Sequence, residues 1–386
     1  MLGPRARCWS AWVLGVVALA AGAAPAADWP QYRGPQGNGI STEAGWNANW
    51  PAEGPRVLWR ASFGPGASSM AIAQGKMVTM GNVRDHDIVY CLEAASGKEL
   101  WRFSYPCPLD KRMFDGGPAA TPTIAGQHVY TISHRGDLYC LDLTTGKQVW
   151  RKSIPQDLGG RRPQWGWAGS ALADGDRLYL DVGGNGSSTV ALNRLTGAVI
   201  WQAGNDNAGY ATPALVTIQN QPTLLMFKAK ALVALDPANG QERWRTPWET
   251  SYDVNAANPL VQDNLVFISS GYNTNMRNHM ATSILHDGHI YGIDENQIRC
   301  LELTTGNVKW TERVSGKGTL TMADGKLIVL SERGELLVAP ATPTEFKPTG
   351  GAQVLGGRCW VMPVLSGGRI FVKNNNGEMV CLDVSR

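Results

Sequence analysis

The stretch YCLEAASGKELW, residues 90–101, combines an apolar strand, an acid, a glycine and a tryptophan at fixed spacing. The acid can accept hydrogen bonds from turn amides, and the glycine supplies the positive φ that such a turn needs. The tryptophan then starts the next strand and offers a large face for packing. The same order returns in YCLDLTTGKQVW (139–150), VALNRLTGAVIW (190–201), VALDPANGQERW (233–244) and RCLELTTGNVKW (299–310), with Asn193 in place of the acid in the second of these.

These repeats predict an all-β propeller, because many short strands with glycine turns and one recurring aromatic per unit are typical of that fold. A degenerate copy of the motif follows at 337–346, and the chain ends inside another copy at 380–383. Eight pairs of apolar strands mark the units, so we expect an eight-bladed propeller within residues 57–386. The tryptophan spacing rises from 42–51 residues to 66 between Trp244 and Trp310, which predicts an incomplete fifth blade near 255–272, without its outer two strands.

The two ends of the repeat region fit one ring. Residues 57–60 form a tryptophan strand with no unit before it, and the last copy stops before its own tryptophan strand. We therefore expect the N-terminal strand to complete the last blade. The repeat tryptophans are expected to dock blades together rather than to bind a ligand: Trp59, Trp101, Trp150, Trp201, Trp244 and Trp310.

The cysteines fall into two groups. Four of them, Cys91, Cys140, Cys300 and Cys381, share one repeat position, where other copies carry alanine. A position that accepts Cys or Ala is a small core position, so these four are not expected to form disulfides. Cys107 and Cys359 lie outside the pattern. A disulfide between them is one interpretation in an exported protein, and two free thiols are the other.

Residues 1–27 have the pattern of a secretory signal peptide, in which two arginines precede an uncharged stretch that closes on small residues. A retained membrane anchor is the alternative. Residues 28–56 would then be an N-terminal extension, and the protein would be exported to the periplasm or beyond. The mature chain keeps 33 of 35 basic residues and all 32 acidic ones, a balance of +1. No basic stripe indicates nucleic-acid binding, no further apolar run could span a bilayer, and we expect a monomer.

The turn pattern resembles the tryptophan-docking motif of PQQ-like β-propeller repeats, of the quinoprotein alcohol dehydrogenase-like superfamily. The segment DWPQYRGP, residues 28–35, is similar to the opening of secreted bacterial members. The superfamily includes PQQ-dependent alcohol dehydrogenases. It also includes the propeller lipoprotein of the outer-membrane β-barrel assembly machine, which is not an enzyme. The resemblance therefore implies a fold and no single activity, and the adjacent cysteine pair of the dehydrogenases is missing here.

The loops that lead into each blade share one face with the central turns, because strand direction alternates within a blade; we call this the upper face. We expect a funnel there, lined by Trp165, Trp167, Tyr210, Asn255, Arg277, His279, Lys317, Arg333 and Trp360. Such a funnel would suit a flat anionic ligand, since aromatic faces stack on rings and Arg or Lys binds carboxylates. The alternative is a channel mouth whose residues bond only to loop backbone and water. Asp115 is a weak candidate for a general base, and we expect no metal site.

Three functions fit these observations. The leading hypothesis is an exported, non-catalytic binding or scaffold propeller for a small molecule or an envelope protein, with no certain cofactor. The second is a PQQ-dependent oxidoreductase that uses the funnel. The third is an envelope assembly factor that binds partners by adding a strand to the open edge of the thin fifth blade.

Overall fold

The computed structural model describes residues 27–51, 53–110, 112, 114–272 and 276–386. Within these ranges the chain is a β-propeller with seven blades of four antiparallel strands, so the predicted all-β propeller is confirmed. The helical elements there are a one-turn helix at Ile154–Asp157 and a 3-10 turn at Ser251–Asp253. No helix in this part of the chain is long and apolar enough to cross a membrane. The predicted signal peptide falls outside the described residues, except for Ala27.

We number the blades in chain order and give their strands from the innermost to the outermost. Blades 1 to 3 consist of Ala71–Ala73, Lys76–Val83, His86–Glu93 and Glu99–Pro106; Thr123–Ala125, His128–Ile132, Asp137–Asp142 and Gln148–Ser153; and Leu172–Asp174, Arg177–Asp181, Thr189–Asn193 and Val199–Ala203. Blades 4 and 5 consist of Ala214–Ile218, Gln221–Phe227, Ala231–Leu235 and Glu242–Pro247; and Ile284–His286, His289–Asp294, Gln297–Glu302 and Val308–Arg313. Blades 6 and 7 consist of Thr319–Ala323, Lys326–Leu330, Glu335–Pro340 and Gly350–Gln353; and Val364–Ser366, Arg369–Lys373, Glu378–Asp383 and Val57–Ser62.

The prediction of eight blades is wrong, because the expected fifth blade is only a two-stranded hairpin. Leu260–Gln262 and Leu265–Phe267 pair with each other between blades 4 and 5. The hairpin packs Val261 and Val266 against the core of blade 4, and Leu260 against Ile290 of blade 5. The hairpin therefore lies between two blades without being a blade itself. The predicted number of blades was one too high because the hairpin was counted among the strand pairs.

The chain closes its ring with the first long strand. Val57–Ser62 pairs antiparallel with Glu378–Asp383, so that Trp59 lies opposite Cys381. The same register recurs inside the blades, where Trp101 faces Cys91 and Trp201 faces Ala191. This register explains why the position accepts only a small residue: the side chain opposite is an indole.

Each docking tryptophan packs on the turn of the next blade. A Cβ on Gly97 would lie 2.6 Å from the Trp59 ring, and one on Gly146 would lie 2.6 Å from the Trp101 ring. The indole N–H groups donate to carbonyl oxygens of the same turns: Trp59 to Ala94 (3.2 Å), Trp101 to Leu143 (2.9 Å), Trp150 to Arg194 (3.0 Å), Trp201 to Pro237 (3.1 Å) and Trp310 to Thr342 (2.8 Å).

The hairpin interrupts this docking series on both sides. Trp244 precedes the hairpin, which ends after two strands and so offers it no outer turn. Gly306 of blade 5 has the usual left-handed φ of +71°, yet nothing lies within 4 Å of a Cβ built on it. Blade 5 therefore has a docking turn without a docked indole.

A buried lysine ties blade 7 to blade 1. Lys373 is fully buried, and its ammonium donates to the carbonyl oxygens of Ser68 (2.8 Å) and Met80 (2.7 Å). Burial lowers the pKa of Lys373 to about 7, because the charged form loses its hydration in the interior.

Candidate ligand-binding funnel

A cavity of about 820 Å³ opens at the centre of the upper face. This volume lies within the range of sites that bind small molecules. Its walls come from the loops that lead into the blades, and its neck comes from the residues at or just before the start of the innermost strands. Each of the seven blades begins within two residues of a lining side chain.

Hydrogen bonds between consecutive units run along the neck from blade 1 to blade 5. In each case a backbone N–H donates to a side-chain oxygen of the next unit: Ser69 to Thr121 (3.3 Å), Thr121 to Ser170 (2.9 Å), Ser170 to Thr212 (2.9 Å), Thr212 to Asn258 (3.3 Å) and Asn258 to Thr282 (2.9 Å). The hairpin contributes Asn258 to this series. Because the hydroxyl oxygens only accept in these bonds, their O–H groups remain able to donate toward the channel.

The N-terminal segment 28–41 crosses the opposite end of the channel. Trp29 exchanges two backbone hydrogen bonds with Ile72 of blade 1, and Pro30 accepts one from Ile124 of blade 2. Farther along, Ile40–Ser41 pairs in parallel with the innermost strand of blade 6. Tyr32, between these contacts, lines the cavity from below. The channel is therefore a funnel that is closed at its lower end.

Arg33 fixes this closing segment. Its side chain is buried and donates to the carbonyl oxygens of Gly37 (3.0 Å), Asn38 (2.8 Å) and Ser283 (3.0 Å). Burial lowers the pKa of Arg33 to about 10, so the guanidinium stays charged at neutral pH. Three charge-assisted hydrogen bonds to backbone hold the segment against blade 5.

Aromatic side chains dominate the cavity wall. Seven of them line it: Tyr32, Phe114, Trp165, Tyr210, Tyr252, Tyr272 and Trp360. Phe114 meets Trp360 edge to face with ring centroids 5.0 Å apart. The Tyr210 hydroxyl accepts from the Trp165 backbone N–H (3.3 Å), and burial raises the Tyr210 pKa. These flat, held faces can stack on a planar or ring-shaped ligand.

The charged groups of the wall are paired with one another. Arg358 bonds to Asp115 (2.7 Å) and lies over the Trp360 ring, 4.7 Å from its centroid. Lys317 lies 3.3 Å from Glu295. Glu332 accepts from the Lys317 backbone N–H (2.9 Å) and from Trp360 Nε1 (3.1 Å).

The His279 ring also contacts Glu295, through Nε2. Glu295 thus binds two of the expected site residues at once. Among the described residues, each charged side chain of the cavity wall therefore has a partner of opposite charge or a hydrogen-bond donor.

The structure brings six of the sequence candidates to this cavity: Asp115, Trp165, Tyr210, His279, Lys317 and Trp360. Asp115 is bound by Arg358 (2.7 Å), and this ion pair links the loops that carry the two residues.

The other four candidates lie elsewhere. Trp167 is buried in the core between blades 2 and 3 and packs on Gly136. Asn255 is fully buried and donates to the carbonyl oxygens of Lys228 and Ala229. Arg277 pairs with the buried Asp294 (2.7 Å), and Arg333 is exposed outside the cavity. Strand direction places all four on the upper face, but it does not say whether a side chain points inward or into a blade contact.

The cysteines are all free thiols within the described residues, so the disulfide considered between Cys107 and Cys359 does not form. Cys107 lies 3.6 Å from His134, at the contact between blades 1 and 2. Cys359 packs near the carbonyl oxygens of Gly356 and Gly357 in the core of blades 6 and 7.

Sequence reasoning missed Tyr32, Tyr272, Glu332 and Arg358 as wall residues. The sequence contained a hint for two of them. Glu332 precedes Arg333, which was expected in the funnel, and Arg358 precedes Cys359, which lies outside the repeat pattern. Tyr32 had none, because nothing in the repeat pattern indicates that the N-terminal extension enters the channel.

PQQ is the cofactor that the superfamily resemblance raises, and the cavity does not fit it. The aromatic walls match a flat ring system. However, a tricarboxylate needs unpaired cations, and both Arg358 and Lys317 already bind carboxylates. The adjacent cysteine pair of the dehydrogenases has no counterpart in the sequence.

Comparisons with known proteins place the chain within one family. A family model described as PQQ_2, Outer membrane protein assembly factor BamB, matches residues 85–337. No curated protein sequence shows a significant match.

Solved structures share the fold at low identity. The chain is similar to a europium-containing methanol dehydrogenase, with 11% identity, coverage of 92% of this chain and 89% of the other, and a TM-score of 0.58. It is similar to the quinohemoprotein alcohol dehydrogenase of Comamonas testosteroni, with 12% identity, coverage of 93% and 81%, and a TM-score of 0.56. At this identity the likeness concerns the fold alone. The repeat motif, the docked indoles and the family match together assign the chain to the PQQ-like β-propeller family that the BamB model describes.

Proposed function

We propose that this protein is an exported, non-catalytic binding propeller whose funnel holds an uncharged ring compound with an apolar face, with a sugar ring as the best match. The observation that carries this proposal is a closed-end cavity with seven aromatic side chains, in which the charged groups are already paired.

The wall chemistry supports the class of ligand. An aromatic face stacks on the apolar face of a sugar or on a planar ring. The hydroxyl groups at the neck can donate to ring substituents, while the carboxylates of Asp115 and Glu332 can accept from hydroxyl groups. A charged ligand would have to break an existing pair, such as Arg358–Asp115, before it gained one of its own.

Intrinsic fluorescence of the purified mature chain tests the proposal. A panel of uncharged mono- and disaccharides and planar aromatics is titrated, with PQQ as the anionic comparison. We expect a saturable change with at least one uncharged ring compound, lost in Trp360→Ala. Trp244→Ala is the matched control, because Trp244 lies outside the cavity wall. Saturable binding of PQQ alone, or an equal loss in both variants, would contradict the proposal.

A second candidate function is protein binding during outer-membrane assembly, which the description of the matching family supports. The hairpin offers a surface for it, since Leu265 is 47% exposed on a sheet of only two strands. An edge strand can pair with a strand of a partner. Cross-linking in envelope extracts tests this candidate: a specific partner captured by the wild type and lost in Leu265→Lys supports it, and equal capture by both argues against this edge.

A further inference from the structure

Three potential metal ligands from separate segments of the chain meet at the contact between blades 1 and 2. Asp87 is the second residue of the third strand of blade 1, Cys107 follows its outermost strand, and His134 lies in the central turn of blade 2. All three side chains are at most 1% exposed. Their ligand atoms all lie within 4.8 Å of one another. Among the described residues, no other group of three such side chains meets in this way.

The spacing fits a tetrahedral zinc ion. Bond lengths of about 2.3 Å to sulfur and 2.0–2.1 Å to nitrogen, at a tetrahedral angle, place the two ligand atoms about 3.6 Å apart. Cys107 Sγ and His134 Nδ1 are 3.6 Å apart in the structure. Thiolate, imidazole and carboxylate together are donors that zinc accepts in proteins.

Two buried polar atoms at the cluster make no hydrogen bond of ordinary geometry. They are Asp87 Oδ2 and the Tyr105 hydroxyl, among the described residues. Such orphaned groups are costly in an interior. A cation beside Asp87 would satisfy the free carboxylate oxygen.

An outer layer holds the cluster in position. Asn82 Nδ2 donates to Asp87 Oδ1 (2.7 Å) and to the Cys107 carbonyl oxygen (2.8 Å). Metal sites commonly orient their ligands through such bonds.

We infer that Asp87, Cys107 and His134 form a buried zinc site that staples blade 1 to blade 2. Water or the Tyr105 hydroxyl would supply the fourth ligand. The site is distinct from the funnel, because none of the three residues lines the cavity. Its role is structural, since full burial leaves no room for a substrate.

Metal analysis of the wild type is the first test. The mature chain is refolded with one equivalent of Zn²⁺ or Co²⁺ and freed of loose metal by gel filtration. We expect about one ion per chain. With Co²⁺ we expect a thiolate-to-metal charge-transfer band, which a site without the cysteine would not give. A folded wild type that retains less than about a tenth of an equivalent of either ion would overturn the inference.

Two variants locate the site. Cys107→Ser should weaken Co²⁺ binding by more than about a hundredfold, because even outer-layer changes cost up to that factor, and it should abolish the band. Cys359→Ser is the matched control, since Cys359 is an equally buried free thiol without a neighbouring His or Asp ligand set. Retention of the band in Cys107→Ser, or its loss in Cys359→Ser, would contradict the assignment. If Cys107→Ser does not fold, the wild-type measurement alone decides.

Discussion

Gly146 and Gly306 occupy the same position in two repeats and have the same backbone, with φ of +70° and +71°. The two glycines differ in the side chain that packs against them. The Trp101 ring is 2.6 Å from a Cβ built on Gly146, whereas Gly306 faces open space. A comparison of Gly146→Ala with Gly306→Ala therefore isolates the contribution of indole docking.

The expected magnitudes follow from two separate costs. Alanine in the left-handed region costs about 1–2 kcal/mol at either site. Only Gly146→Ala also collides with a packed ring, and overpacking costs about 1–3 kcal/mol more. Trp101 cannot move away freely, because its Nε1 donates to the Leu143 carbonyl oxygen (2.9 Å). We expect losses of about 1–2 kcal/mol for Gly306→Ala and about 2–5 kcal/mol for Gly146→Ala.

Urea unfolding, followed by far-ultraviolet circular dichroism, measures the free energy of unfolding of both variants. The urea midpoint is the readout when the dependence of that free energy on urea concentration is unchanged. A Trp101→Ala background provides the control, because Gly146→Ala should cost only the backbone strain there. Equal losses for the two glycines in the natural background, or no coupling between Gly146 and Trp101, would refute the docking account.

Three further predictions rest on other parts of the molecule. Trp101→Ala should lower the free energy of unfolding by about 3–5 kcal/mol and Trp244→Ala by clearly less, because Trp244 has no next-blade turn to dock on; urea midpoints measure both, and the reverse order would contradict the prediction. Lys373 loses its proton near pH 7 when folded and near 10.5 when unfolded, so the unfolded chain binds more protons between these values. The stability of the wild type relative to Lys373→Met should rise by about 1.4 kcal/mol per pH unit from pH 7 to 10.5 and stay constant below pH 7; a constant difference across that window would show that Lys373 does not titrate as expected. Asp115→Asn should free Arg358 and strengthen binding of the anionic probe anilinonaphthalene sulfonate by about tenfold, which a fluorescence titration checks; unchanged affinity would mean that Asp115 does not neutralise Arg358.

The repeat motif was sufficient to predict the propeller, because each residue of the motif determines the structure of a nearby turn or strand. The glycine turn and the tryptophan face recur in each unit, and each unit buries its surface only against the next. The same locality explains the error in blade number. Asn258 and the strands after it carry the opening signal of a unit, but the missing acid, glycine and tryptophan mean that no outer strands follow.

The funnel was only partly predictable, because sequence parity places a residue on a face and does not give the direction of its side chain. Trp165 and Trp360 point into the cavity, whereas Trp167 turns into a blade contact. The pairing of Arg358 with Asp115 joins residues 243 positions apart, and the zinc ligands likewise meet only after blades 1 and 2 have packed. Such contacts depend on tertiary structure and leave no local pattern.

The most direct test of the proposed function is the fluorescence titration of the mature wild type with uncharged ring compounds and with PQQ, repeated in Trp360→Ala. The account predicts saturable binding of an uncharged ring compound that disappears in this variant, with no saturable response to PQQ at micromolar concentrations. Saturable quenching by PQQ, without a response to any uncharged ring compound, would contradict it and would mean that the cations of the wall are available to an anionic cofactor.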